Sequence, residues 1–127
     1  MDRTILRSTK LVVRDLERAA KFFHAVAGFE ETTRFQSKTG AWEIIFKQRE
    51  GEASFILMEY AKIPASPQSN VVLVFSTADA AAFGKRVLQA GGQVLHEAHP
   101  VSTGSYNMVI LVAADPEGNV LEAVEMR

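Results

Sequence analysis

Residues 5 to 13 alternate between apolar and polar side chains and then run apolar through Leu11-Val12-Val13, which is the pattern of a strand. Asp15 follows. Its carboxylate can accept the free backbone N–H groups of a first helical turn, so it predicts a helix N-cap. Leu16, Ala19, Ala20, Phe23 and Ala27 recur at the spacing of one helix face, and Gly28 stands where a left-handed C-terminal residue is wanted. Strand signals return at Phe29 to Phe35, Trp42 to Lys47 and Ser54 to Tyr60. Turn-forming Lys38-Thr39-Gly40 and Glu50-Gly51-Glu52 separate them. The first half therefore reads β-α-β-β-β.

Ile63-Pro64-Ala65-Ser66-Pro67-Gln68-Ser69, with two prolines and several small residues, reads as a linker. The pattern then begins again. Val71 to Phe75 is strand-like, and Ser76 with Asp79 forms an S-x-x-D capping signal. Ala80 to Ala90 is helical and Gly91-Gly92 closes it. Gln93 to His96, Asn107 to Ala113 and Asn119 to Glu125 read as three more strands. Asp15 to Gly28 and Ala78 to Gly91 have the same span, so start and stop signals repeat in register. The expected architecture is α+β: one domain over 1–127 built from two βαβββ modules, 4–61 and 70–126. Their strands would form one curved eight-stranded sheet, with the helices on its outer face and a concave inner face.

Composition narrows the function. Net charge is −1, from 14 Lys+Arg against 15 Asp+Glu, so no basic excess is available to neutralise a phosphate backbone and no nucleic acid partner is expected. Cysteine is absent, which removes disulfides, thiolate nucleophiles and thiolate metal sites together. The longest apolar runs are a few residues, far short of the ~20 that span a bilayer, so no membrane association is expected. Met1-Asp2-Arg3-Thr4 opens without a signal-peptide core, and the cytoplasm is the expected location.

Leu11-Val12-Val13-Arg14-Asp15-Leu16-Glu17-Arg18-Ala19-Ala20-Lys21-Phe22-Phe23 resembles the opening strand and helix of the glyoxalase / bleomycin resistance protein / extradiol dioxygenase (vicinal oxygen chelate) superfamily. Val26-Ala27-Gly28-Phe29 resembles the helix exit that follows. Gly91-Gly92-Gln93-Val94 and His96-Glu97-Ala98-His99-Pro100-Val101 resemble the corresponding part of lactoylglutathione lyases. Asp115-Pro116-Glu117-Gly118-Asn119-Val120-Leu121-Glu122 is similar to the closing turn and last strand. The resemblance runs over nearly the whole chain in order. It implies paired βαβββ modules forming a cup, usually with two chains assembling into a homodimer.

Many members of that superfamily hold one divalent metal with His or Glu from four strands, and the metal polarises vicinal oxygens of the substrate. The resemblance carries those four positions onto Ser8, the neighbourhood of Leu57, Asn70 and Glu122. Glu59, two residues beyond Leu57 on the same strand face, is a substitute ligand if the register differs. Only Glu122 keeps a family ligand, so no cofactor is expected; if a divalent metal binds, Glu122 and Glu59 are its ligands. Glu122 is the expected catalytic or ligand-recognising carboxylate, with Lys10 the nearest cation by strand-face reasoning.

Ser8, Lys10, Leu57, Glu59, Asn70, His99 and Tyr106 complete the candidate ligand-binding set. Tyr106 follows the polar stretch Ser102-Thr103-Gly104-Ser105, which suits a rim loop. His96 and His99, three apart, should face opposite sides of a regular strand. His24, late in the first helix, suits the helix dipole. Trp42, Phe46, Phe55 and Tyr60 read as core or cup wall. Two functions fit these residues: binding of a small molecule in the cup without the full metal site, or a divalent-metal-dependent lyase or isomerase resembling lactoylglutathione lyase.

Overall fold

The computed structural model describes residues 8–36, 41–59, 71–102 and 107–127. The elements are β1 (Ser8–Val13), α1 (Leu16–Ala27), β2 (Glu31–Gln36), β3 (Trp42–Phe46), β4 (Ser54–Glu59), β5 (Val72–Ser76), α2 (Ala80–Gln89), β6 (Gln93–Ser102), β7 (Asn107–Ala114) and β8 (Val120–Met126). The order is βαβββ twice, as the patterning predicts. The chain divides into two compact units, Met1–Pro64 and Ala65–Arg127.

Each unit has its own mixed sheet. The first runs β1-β4-β3-β2 and the second β5-β8-β7-β6. In both, the first strand pairs parallel with the last and the other neighbours are antiparallel. Among the described residues the ladders therefore form two four-stranded sheets, where one eight-stranded sheet was expected.

In the first unit, α1 buries Leu16, Ala19, Phe22, Phe23 and Val26. Leu11 and Val13 of β1, Ile44 and Phe46 of β3, and Phe55 and Leu57 of β4 complete that core. Aromatic rings fill much of it: the Phe55 ring lies 5.1 Å from Phe23 and 5.0 Å from Phe29. Asp15 caps α1, its side chain accepting from the Arg18 N–H at 3.0 Å. Gly28 ends it at φ 72°, a left-handed conformation that costs glycine little. His24 supports the same exit, with Nδ1 2.9 Å from the Phe29 carbonyl oxygen.

In the second unit, α2 begins at Ala80, as expected, three residues later than Ser76 acting as the N-cap would start it. Ser76 still belongs to β5, and Asp79 is the cap, accepting from the Ala82 N–H at 3.0 Å. Ala80, Phe83, Gly84 and Val87 face a core that includes Leu111, Ala113, Leu121 and Ala123. The closing turn is anchored by Asp115, only 3% exposed. One of its oxygens accepts from the Glu117 and Asn119 N–H groups at 2.9 and 2.8 Å, and the other from Asn119 Nδ2 at 2.8 Å. Burial pushes this carboxyl above the usual aspartate range, against those three hydrogen bonds.

The longest departure from the expected elements is β6, which continues past His96 to Ser102. Its pairing with β7 shifts register between Val94 and His96 and again between His96 and His99. Such bulges insert extra residues on one strand and re-aim its side chains. No helix among the described residues is long and apolar enough to cross a membrane.

Gly84 sits in mid-helix for a packing reason. A Cβ built there would lie 2.5 Å from Leu111 Cδ1, and Leu111 is 1% exposed, so it has little room to retreat. Gly84→Ala gains up to about 1 kcal/mol of helix propensity and loses about 1–3 kcal/mol to overpacking. We expect a net loss of stability in urea unfolding, the reverse of the usual outcome for a helical glycine.

Candidate functional site

Helix packing assigns each strand residue to one of two faces. In the second sheet, Leu73, Leu111, Ala113, Leu121 and Ala123 face α2. The alternate residues lie on the far face. There Val74, Glu122, Val112 and His96 form one row across four strands. Ser76, Val124, Ile110 and His99 form the next. Glu122 is half-buried, between Val120 and Val124 on its own strand. The two shifts of β6 bring His96 and His99 to the same face, opposite Val112 and Ile110, where a regular strand would have separated them. The His99 Nδ1 lies 2.8 Å from the Glu97 carbonyl oxygen.

In the first sheet, Ser8, Lys10 and Val12 occupy the far face of β1. Lys10 heads the row Lys10–Ile56–Ile45–Thr33, and Val12 the row Val12–Met58–Glu43–Phe35. Lys10 Nζ lies 2.8 Å from Glu43 Oε1, an ion pair within its own sheet. Glu43 is 5% exposed. It was missed in the sequence, although a lone carboxylate in Trp42-Glu43-Ile44-Ile45-Phe46 was its signal.

Leu57 and Glu59 are on the helix side. Leu57 is 0% exposed in the core beneath α1, out of reach of a ligand on the far face. Glu59 Oε2 accepts from the Leu16 N–H at 2.7 Å, the first residue of α1. The second unit repeats this: Glu125 Oε1 accepts from the Ala80 N–H, the first residue of α2, at 2.9 Å. Each helix start thus holds two carboxylates, an N-cap aspartate and a glutamate from the last strand, where free N–H groups and the helix dipole favour negative charge. Glu59, a candidate ligand in the sequence, makes this contact in the structure. Asn70 and Tyr106 lie outside the described residues.

Two concavities open beside these helix starts. One, of about 260 Å³, is lined by Leu16, Glu17, Arg34, Trp42 and Glu59. Arg34 bridges Glu17 and Glu31 there, which holds the Glu17 carboxyl below its usual range. The other, of about 580 Å³, is lined mainly by apolar atoms of β6 and β7 and includes His99, Glu125 and Arg127. Glu122 lines neither.

The glyoxalase/bleomycin resistance protein/dioxygenase superfamily model matches residues 5–123. The chain belongs to that superfamily. Solved structures agree on the fold. A glyoxylase/bleomycin resistance protein/dioxygenase domain from Frankia sp. EAN1pec is 19% identical with a TM-score of 0.79, over 99% of this chain and 100% of that one. A glyoxalase I mutant from Zea mays is 21% identical with a TM-score of 0.76; 94% of this chain covers 46% of that one. The fosfomycin resistance protein FosX from Listeria monocytogenes, solved with Mn(II) and sulfate, is 15% identical with a TM-score of 0.68, over 98% and 93% of the two chains. No curated protein sequence matches.

The internal repeat tests whether this superfamily member keeps the four-strand ligand set. Ser8 stands seven residues before the cap Asp15, and the residue seven before Asp79 is Val72. Two residues after Ser8, Lys10 pairs with Ile56; two after Val72, Val74 pairs with Glu122. The module equivalents of Ser8 and Glu122 are therefore Val72 and Ile56. The register puts Ile56, not Leu57, on the far face of β4. A set of Ser8, Ile56, Val72 and Glu122 offers one carboxylate and one hydroxyl, which does not fit a divalent ion that needs several oxygen or imidazole donors. Among the described residues, no group of three or more His, Asp or Glu is placed to hold a metal.

The role given to Glu59 is testable. Glu59→Ala removes the charged acceptor of the Leu16 N–H and should cost about 1.5–3 kcal/mol, whereas Glu59→Gln keeps an acceptor and should cost clearly less. Glu125→Ala and Glu125→Gln should show the same ordering in chemical denaturation.

Proposed function

We propose that this superfamily member binds a small molecule on the far face of its second sheet without a family-type metal, with Glu122 as the recognising carboxylate. The observation that carries the reading is the row Val74–Glu122–Val112–His96, which sets a half-buried carboxylate between apolar neighbours with a histidine at the end of the row. A few polar groups on an apolar surface is the usual make-up of a small-molecule site. A carboxylate there favours a ligand that brings a cation or hydrogen-bond donors, since a charged hydrogen bond is the strong kind. Ser8, on the far face of the other sheet, and His99, in the row beside Glu122, remain secondary ligand-contact candidates.

The chemistry of this chain's own residues is modest. Glu122 accepts hydrogen bonds, the ring nitrogens of His96 donate or accept them, and the valines exclude water. The second reading, a divalent-metal lyase or isomerase, takes its support from the superfamily and from FosX with Mn(II). The proposal extends to a cytoplasmic protein that pairs with a second copy of itself. Support for pairing comes from β5, an edge strand of its sheet, on which Val72 is 50% and Val74 62% exposed. An apolar edge strand left uncovered invites association.

Two measurements test these readings. Titration with bleomycin, a cationic ligand, in chelator and then in Mn(II), should show saturable binding that does not require metal. Glu122→Gln should weaken the binding about tenfold or more, the equivalent of ~1.4 kcal/mol. Stoichiometric metal in protein purified without chelator, lost in Glu122→Gln, would establish the metal-dependent reading instead. Light scattering should give twice the 14.0 kDa chain mass at micromolar concentration, and a monomer mass would refute pairing.

A further inference from the structure

We infer that the groove on the helix side of the second sheet is a further ligand site, which takes a small carboxylate with an apolar body and holds its anionic end on Arg127. The groove and Glu122 are on opposite faces of that sheet, so the inference does not rest on the reading given to Glu122.

The path of α2 explains why the groove exists. Glu125, Val109 and Pro100 form one cross-strand row on the face that α2 covers. The helix begins level with that row, where the Ala80 N–H donates to Glu125 Oε1. From there it runs toward Leu111 and Val94, against which Gly84 packs. The other end of the sheet, out to the Ser102–Asn107 pair, is left beside the helix start and not beneath the helix. The space there is about 580 Å³, with Ala81, Ala98, Pro100 and Val109 among its walls. Small-molecule sites span roughly 300–1,000 Å³ and are mostly apolar with a few placed polar groups.

Arg127 is such a group, and it is held in place. Its backbone N–H donates to the Asn107 carbonyl at 2.9 Å. Its Nε and Nη2 lie 3.0 and 2.9 Å from Glu125 Oε2. Glu125 has a side chain only 14% exposed and is itself fixed by the Ala80 N–H. This contact uses one edge of the guanidinium. The end-on edge, Nη1 with Nη2, has no partner among the described residues, and the side chain is 65% exposed. A rigid planar fork presented this way matches a carboxylate through two parallel hydrogen bonds. The other titratable groups of the groove are engaged. Glu125 commits both oxygens, Asp79 caps α2 through the Ala82 N–H, and the His99 ring is turned to the Glu97 carbonyl.

The first unit shows what narrows such a groove. Glu59 is the counterpart of Glu125, and it pairs with Trp42 where Glu125 pairs with Val109. The concavity at that helix start, which Trp42 lines, is about 260 Å³. Its arginine, Arg34, is bridged between Glu17 and Glu31. The module therefore accommodates an indole and a doubly paired arginine at this place. The second unit has a valine and an arginine with one edge open.

The test uses the full chain and phenylacetate as the probe, followed by amide and arginine Nε–H NMR shifts. Phenylacetamide is the uncharged control of the same shape, and benzylamine the cationic one. Phenylacetate should produce saturable shifts at the Ala81, Val109 and Arg127 amides and at Arg127 Nε–H. Both controls should bind at least tenfold more weakly. Arg127→Gln should weaken phenylacetate at least tenfold and leave phenylacetamide within about threefold. Val109→Trp, which places the first unit's indole in the groove, should weaken both at least tenfold. The inference is overturned by phenylacetamide or benzylamine binding as tightly as phenylacetate, by unchanged phenylacetate affinity in either variant, or by saturable shifts that are absent here or centred on Glu122. The three-probe comparison is made on the unaltered protein, so the test does not depend on either variant folding.

Discussion

The contact on which each unit depends joins the last strand to the start of the helix. Glu59 accepts the first N–H of α1, and Glu125 accepts the first N–H of α2. Those N–H groups have no partner inside the helix, and the positive end of the helix dipole sits there. A glutamate from the sheet satisfies them and fixes where the helix begins along the last strand. In each unit that strand also pairs parallel with the first strand, which leads directly into the helix. One hydrogen bond therefore ties the helix start to the last strand in each module.

Once the faces are fixed, the chemistry separates. The helix sides are apolar cores, aromatic in the first unit and built on small and branched aliphatic residues in the second. The far faces differ from each other. The first holds an ion pair with a buried carboxylate, and the second holds Glu122 in line with His96. The superfamily's usual device, four ligands on four strands, would need donors at Ser8, Ile56, Val72 and Glu122. Two of these are aliphatic, and an aliphatic side chain has no lone pair to offer an ion.

Backbone irregularity shapes the second face. A regular β6 would have turned His99 away from His96. The first register shift turns His96 from the helix side to the face of Glu122, and the second keeps His99 on that face. The same strand lines the concavity at the start of α2. One strand thus contributes to both features of that unit.

The sequence by itself determined the element order, the caps and the repeat. Asp15, Gly28 and Asp79 act through their own backbone surroundings, and an amphipathic helix or alternating strand carries its period in its own residues. Glu122 was legible only through the likeness of the stretch from Asp115 onward to the superfamily's closing turn and strand. Pairing across strands was not. Nothing local distinguishes Leu57 from Ile56 in Ser54-Phe55-Ile56-Leu57-Met58, because a shift of one residue exchanges the two faces of a strand. Nothing local shows that Glu59 serves a helix 43 positions earlier, or that Lys10 crosses a strand to reach Glu43. Those choices belong to the tertiary structure, because they depend on which backbone lies alongside which, and a charged side chain takes its role from the neighbour that burial leaves within its reach.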